Sequence, residues 1–159
     1  QAFHITKSTG KKVALKTQPH QNYPGEGPST LVNGILGNPV RHGLHWIGFW
    51  GPDLDATIDL GNATSFSKLS VDFYDGEGSW IYLPKSVEIL VSGTGGSYTS
   101  IRTVSSAEIR AAGGRLVLGL GPQASRYVRV VAANAGRIPA GKEGSGNEAW
   151  LFVDEIMIE

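Results

Sequence analysis

The sequence predicts an all-β domain, a jelly-roll β-sandwich of two packed antiparallel sheets, and three observations carry that expectation. Short runs with a two-residue apolar period follow one another along the chain. Turns rich in glycine separate them, with 22 Gly and 8 Pro in 159 residues, a composition suited to many short strands. Almost no segment carries the 3.6-residue period of an amphipathic helix.

Residues 12–17 (KVALKT) alternate and form the first expected strand. Residues 54–60 (LDATIDL) put Leu54, Ala56, Ile58 and Leu60 on one face, leaving Asp55, Thr57 and Asp59 to face water. Residues 66–74 point Leu69, Val71 and Phe73 inward. In residues 86–92, Val87, Ile89 and Val91 stand against Glu88 and Ser92, and Pro84, lacking an N–H for a ladder, sets the start. Further strands are expected over 98–104, 115–120, 125–131 and 150–158. Residues 106–112 (SAEIRAA) suit one helical turn before Gly113-Gly114. The aperiodic connections 18–30, 33–53, 75–84 and 134–149 are where binding groups belong, because loops on a rigid sandwich carry them.

Length fits a single domain, residues 1–159, able to bury about two thirds of its unfolded surface. Fourteen basic residues balance fourteen acidic ones, which gives no electrostatic reason to expect nucleic acid or an anionic bilayer. No apolar run approaches the roughly 20 residues of a membrane span. Absence of cysteine excludes a disulfide framework, a thiolate metal site and a thiol nucleophile. The start at Gln1 reads as a domain excised from a longer polypeptide, and a monomer is expected.

Catalytic patterns are weak. His42 and His45 lack the glutamate of HExxH, and Gly43 between them disfavours a helix presenting both imidazoles. Asp53/Asp55 and Asp75/Glu77 are close carboxylate pairs, yet a glycosidase needs two carboxyls about 5–9.5 Å apart across a sugar, one kept protonated. Asp55 instead belongs to the polar face of a strand. No nucleophile elbow, P-loop or dinucleotide fingerprint appears, so no catalytic residue is expected.

The four tryptophans say more. Trp46, Trp50 and Trp80 fall in or beside long connections, while Trp150 opens the last strand and reads as core. An indole in a loop either plugs the end of a sandwich or stacks on the apolar face of a sugar whose hydroxyls meet polar neighbours. Arg41, His45, Asp75, Glu77 and Asn147 supply such neighbours around Trp50 and Trp80, and these seven are the expected ligand-binding residues. A passive alternative makes Trp46 and Trp50 an apolar patch against a neighbouring domain.

The blocks LVNGILGN, HWIGFWGPDLDATIDLG, GSWIYLPKSVEILVSGTGG, RYVRVVA and WLFVDEIMI, in that order, resemble the factor V/VIII type C, or discoidin, domain over residues 12–159. Within that family the YPGEGPSTLVNG and SWIYLP segments look most like the C-terminal domain of Bacteroidetes β-N-acetylhexosaminidases (chitobiases), near family 32 of carbohydrate-binding modules. The resemblance implies a galactose-binding-like sandwich and a non-catalytic module. It would bind galactose- or N-acetylhexosamine-containing glycans beside an attached glycoside hydrolase, outside the cytoplasm. The alternative it leaves is a structural appendage on the catalytic domain with no sugar site. Carbohydrate and that catalytic domain are the implied partners; some relatives insert into phospholipid, but the acidic loops here oppose that mode. The resemblance also implies structural calcium, held by the turn at Asn33, where Asp is usual, and by Glu155 of the final strand.

Overall fold

The computed structural model describes residues 2–43 and 45–159. Among them seven strands occur: β1 (Lys12–Leu15), β2 (Ile47–Trp50), β3 (Leu54–Phe73), β4 (Ser86–Ser92), β5 (Thr99–Ser105), β6 (Arg115–Ala133) and β7 (Trp150–Ile158). One short helix, α1 (Ser106–Ala111), and two 3-10 turns, Gly27–Val32 and Glu77–Ser79, complete the elements. The helical turn expected over 106–112 is α1. Ser105 caps it by accepting from the Glu108 amide, Glu108 returns the bond to the Ser105 amide, and Ile109 is buried beneath.

All strand pairs are antiparallel, along the path β2-β7-β3-β6-β4-β5 with β1 added on β3. Two long strands turn that path into a sandwich. The first part of β3, from Leu54 to Asp59, joins β1 to the end of β6, which passes on to β4 and β5. Past a register shift after Asp59, the same strand joins the start of β6 to β7, and β7 holds β2. Ile58, Val87, Ile89, Val128 and Val130 of the first layer meet Leu69, Val71, Leu151, Val153 and Ile156 of the second in one buried cluster.

Two pairs of expected strands are therefore single elements. Residues 61–65 and 121–124 carry no apolar alternation, but the ladder that breaks after Asp59 resumes at Thr64–Ser125 and, past a second register shift, at Lys68–Gly119. Strand β2 was not expected at all. Its IGFW lacks polar alternation because both faces are covered: Ile47 and Phe49 enter the core, and Gly48 lies under two rings. A Cβ at Gly48 would stand 2.9 Å from Phe152 and 3.0 Å from Tyr23, so the glycine lets the strand pass beneath them.

The polar face of β3 does not simply meet water. Asp55 takes both Nε and Nη2 of Arg129, at 2.8 and 2.6 Å. Asp59 holds Arg126 likewise, at 2.8 and 2.9 Å, and that guanidinium keeps the Asp59 carboxyl at about 2.

Candidate functional site

Along β7 the side chains alternate across the sheet. Leu151 and Val153 enter the main core, while Trp150 and Phe152 turn to the outer face of the second layer, in line with Asp154. Trp50 lies opposite Trp150 in the β2–β7 ladder, and the two indoles stack 5.8 Å apart with planes 16° from parallel. Segments 18–24 and 36–43 bring more rings onto this face. His20 meets Trp150 edge-on at 5.0 Å, Tyr23 meets Phe152 at 4.8 Å, and His42 lies between Tyr74 and Phe152. Trp150 is thus half-buried in an outer aromatic cluster, not in the core between the sheets where its place in an apolar run suggested.

The outermost ring of this cluster is Trp50, 44% exposed. Its orientation is fixed because Nε1 donates to the Glu148 carbonyl at 2.9 Å. Polar groups border it. The Glu148 side chain lies beside Gly51, with Arg137 4.0 Å away from its carboxylate. Nδ1 of His20 accepts from the Asn22 amide, so in the neutral ring Nε2 carries the hydrogen. A fixed, exposed indole with donors and acceptors at its rim suits a ligand with one apolar face and peripheral hydroxyls.

The seven expected ligand-binding residues surround this end of the sandwich in separate neighbourhoods. Arg41 and His45 line a hollow of about 680 Å³ with Asn38 and Pro39. Asp75 is at the mouth of an adjoining cavity of about 410 Å³; partial desolvation, then the charge of Glu77, push its carboxyl up. Glu77 is exposed and pairs with Lys142 at 3.1 Å. Asn147 donates from Nδ2 to the Gly144 carbonyl at 3.0 Å.

Trp80 is half-buried and closes the Glu77–Ser79 turn in the left-handed region, at φ 63°. Its ring packs against the cluster of Tyr82, Ile138 and Ala149. One face is covered by Gly144, where a Cβ would come within 2.7 Å of the indole. Loop 136–149 therefore clamps Trp80, and Trp50 is the more open ring. Trp46 is buried at 4% exposure and donates from Nε1 to Asn38, so Trp46 and Trp50 do not form an apolar surface patch. His20, Arg137 and Glu148 went unnoticed in the sequence, and Trp150 was assigned to the core. Reading positions 150, 152 and 154 as the second face of the last strand would have found Trp150; no local signal marks the others.

The calcium expectation meets a different donor set. The Asn33 side-chain oxygen accepts from the Ile35 amide at 2.8 Å, and Glu155 Oε1 accepts from the Gly34 amide at 3.0 Å. Glu155 Oε2 and Asn33 Nδ2 are buried without partners, and no group of three acidic or imidazole ligands occurs among the described residues. Calcium requires six to eight oxygens. Here N–H groups point at Glu155 Oε1 and at the Asn33 side-chain oxygen, Glu155 Oε2 is the side-chain oxygen left over, and the rest of a calcium shell would fall to backbone carbonyls of the turn.

Both neighbouring acids of β7 are buried. Desolvation pushes Glu155 up to about 7 against three backbone amides that lower it. Desolvation, then the charge of Asp72, push Asp154 up to about 8, although Gly37 donates its amide to Oδ2 at 2.6 Å.

Fold and surface together define a β-sandwich domain with an outer aromatic cluster at one end, of which Trp50 is the most open ring. No family model matches the sequence, and no curated protein matches it. Solved structures do share the fold. Chitosan-binding module 1 of a chitosanase/glucanase from Paenibacillus sp. IK-5 matches with a TM-score of 0.66 at 13% identity, over 98% of this chain and 99% of that one. A CBM32 module from Clostridium perfringens, solved with GalNAc-β-1,3-galactose, matches with a TM-score of 0.64 at 14% identity, over 97% and 99%. A truncated AlyQ with CBM32 and alginate lyase domains matches at 0.58 and 16% identity, over 92% of this chain and 31% of that one. At these identities the likeness establishes the fold, an all-β sandwich.

Proposed function

We propose that this domain is a non-catalytic carbohydrate-binding module, and that the Trp50 ring with its rim of His20, Arg137 and Glu148 is the sugar platform. The observation that carries the reading is an indole held rigid by its own N–H and by Trp150, yet almost half exposed. The modules named above, which share the fold, add support. Galactose- or N-acetylhexosamine-containing glycans are the proposed ligands. The proposed setting is a chain exported from the cytoplasm, with a glycoside hydrolase of β-N-acetylhexosaminidase type attached.

Catalysis is not part of the reading. Asp53 accepts the Asn134 amide, Asp55 is bound to Arg129 and Glu77 to Lys142, so neither close pair is arranged as an acid facing a base. A monosaccharide of about 15 heavy atoms at roughly −0.3 kcal/mol each gives a dissociation constant near millimolar. Attachment beside an active site makes such weak binding useful. Titration of the labelled domain with galactose and N-acetylgalactosamine, followed by NMR, tests it: the Trp50 indole N–H signal should move and saturate. Silence of that signal with every neutral sugar tried overturns the platform.

A further inference from the structure

Each layer of the sandwich ends in edge strands, and an edge with free N–H and C=O groups is a template for another strand. In the first layer β1 is short and carries Lys12, while β5 carries Arg102 and a bulge between Ser100 and Arg102. In the second layer the outer side of β2 is taken, because the His20 amide donates to Gly48 and the Gly48 amide to Tyr23. The start of β6 is different. Residues 115–119 (RLVLG) pair with β3 on one side, and among the described residues no strand lies on the other. Lys68 exchanges both backbone bonds with Glu159 past the end of β7, and Phe73 donates to Gly114. Antiparallel alternation then turns Leu116 and Leu118 toward β3, and the N–H and C=O groups of Val117 and Gly119 outward. The Val117 side chain is 62% exposed. The single charge of the run, Arg115, is tied to Asp72 at 3.0 and 2.9 Å. Past Gly119 the edge closes, since Gln123 donates from Nε2 to the Leu120 carbonyl and Pro122 has no N–H.

We propose that this edge joins two copies of the chain, their β6 strands antiparallel about a two-fold axis at Val117. An edge strand is its own complement in that arrangement. Val117 then faces Val117 of the second copy, exchanges both backbone bonds with it, and covers the exposed side chain in a β-branched cross-strand pair. Arg115 of one copy faces Gly119 of the other, so no like charges meet and the arginine has room. Leu116 and Leu118 stay on the core side, and the two second layers become one continuous sheet. Strand β2, which bears Trp50, is at the opposite edge of that layer, so pairing leaves the exposed indole open. The inference does not depend on the sugar reading. So short an edge buries less than the about 1,200 Å² of a stable interface, and the dissociation constant is on the order of 0.1–1 mM. The monomer expected from the sequence is then the dilute limit.

The test is sedimentation equilibrium of the whole domain from about 10 µM to about 1 mM, with NMR amide spectra over the same range. The mean mass should climb toward that of a dimer at the upper end. The Val117 and Gly119 amides should shift with concentration, and the Leu116 and Leu118 amides, already bonded to β3, should shift less. Val117→Lys and Val117→Glu each set like charges directly opposite and should weaken association at least about tenfold. An equimolar mixture of the two variants should regain it, because position 117 faces itself. Both new side chains enter solvent in the single domain, so melting temperature should stay as in the parent. Should either variant melt early, the concentration shifts at Val117 and Gly119 in the parent decide alone. A monomeric mass at every concentration overturns the proposal and leaves the edge to an extended segment of another protein. A dimer that survives both substitutions also overturns it, placing the contact elsewhere, as at exposed Phe3 and Ile5. A mixture that stays monomeric overturns the two-fold register at Val117.

Discussion

Trp50 and Trp150 are cross-strand partners whose rings stack 5.8 Å apart and 16° from parallel. The inner indole therefore supports the outer one from behind. Trp50→Ala should cost only about 1 kcal/mol of stability, because the lost contact is one aromatic pair at a half-open site. Sugar affinity should fall at least about tenfold. Urea unfolding and calorimetric titration on the same sample separate the two effects. A variant that binds normally shows the ring to be ornamental.

Trp80 should behave in the opposite way. Its ring is clamped under Gly144 and packed on Tyr82, Ile138 and Ala149, so Trp80→Ala should lose about 2 kcal/mol or more through a cavity. Gly144→Ala should cost a comparable amount, roughly 2 kcal/mol, since the position has φ 79° and no room for a Cβ. Thermal unfolding measures both. If each melts with the parent, the clamp described for loop 136–149 is wrong.

Stability should decline from weakly acidic to weakly alkaline pH. Unfolded Asp and Glu titrate near 3.9 and 4.3, whereas folded Asp154 and Glu155 are held at about 8 and about 7. The folded state thus binds more protons than the unfolded one between these limits. The contribution is complete below about pH 4 and is lost as pH rises through 7 and 8. Urea midpoints should therefore fall between about pH 5 and 9. Asp154→Asn keeps an acceptor for Gly37 and should flatten that slope; an unaltered slope would assign the effect elsewhere.

Calcium should do little. Glu155 is occupied by the Gly34 amide and Asn33 by that of Ile35, so calcium at about 1 mM, the weak end for protein sites, should move the melting temperature by less than about 1 °C. Asn33→Asp adds the carboxylate usual in the resembling family and is the variant in which a calcium-dependent rise would appear first. A clear rise in the unaltered protein would show that the turn rearranges around the ion.

Much of this architecture was legible from period alone. Val87 and Ile89, or Leu69, Val71 and Phe73, alternate because one face of each strand is core, and that pattern survives in the text of the sequence. Strand β2 did not declare itself because Gly48 is where an outward polar residue would stand, and rings from elsewhere cover it. The site was harder to read. In the sequence an indole beside a long connection looks the same whether it is clamped, like Trp80, or presented, like Trp50; the difference lies in Gly144 and Glu148, far along the chain. His20 and Trp150 meet only through tertiary folding, so neither spacing nor residue type announced their contact.

Strand β7 lies inside the second layer, between β2 and β3, about a hundred residues from one partner and some eighty from the other. A chain emerging from the ribosome cannot shut that layer until residue 158 is out. Until then β2 has only the segment from His20 to Tyr23 to bond, and the outer aromatic stripe has no Trp150 or Phe152 to rest on. Such distant pairings make for slow folding, and nascent chains would expose that wall to holding chaperones throughout synthesis.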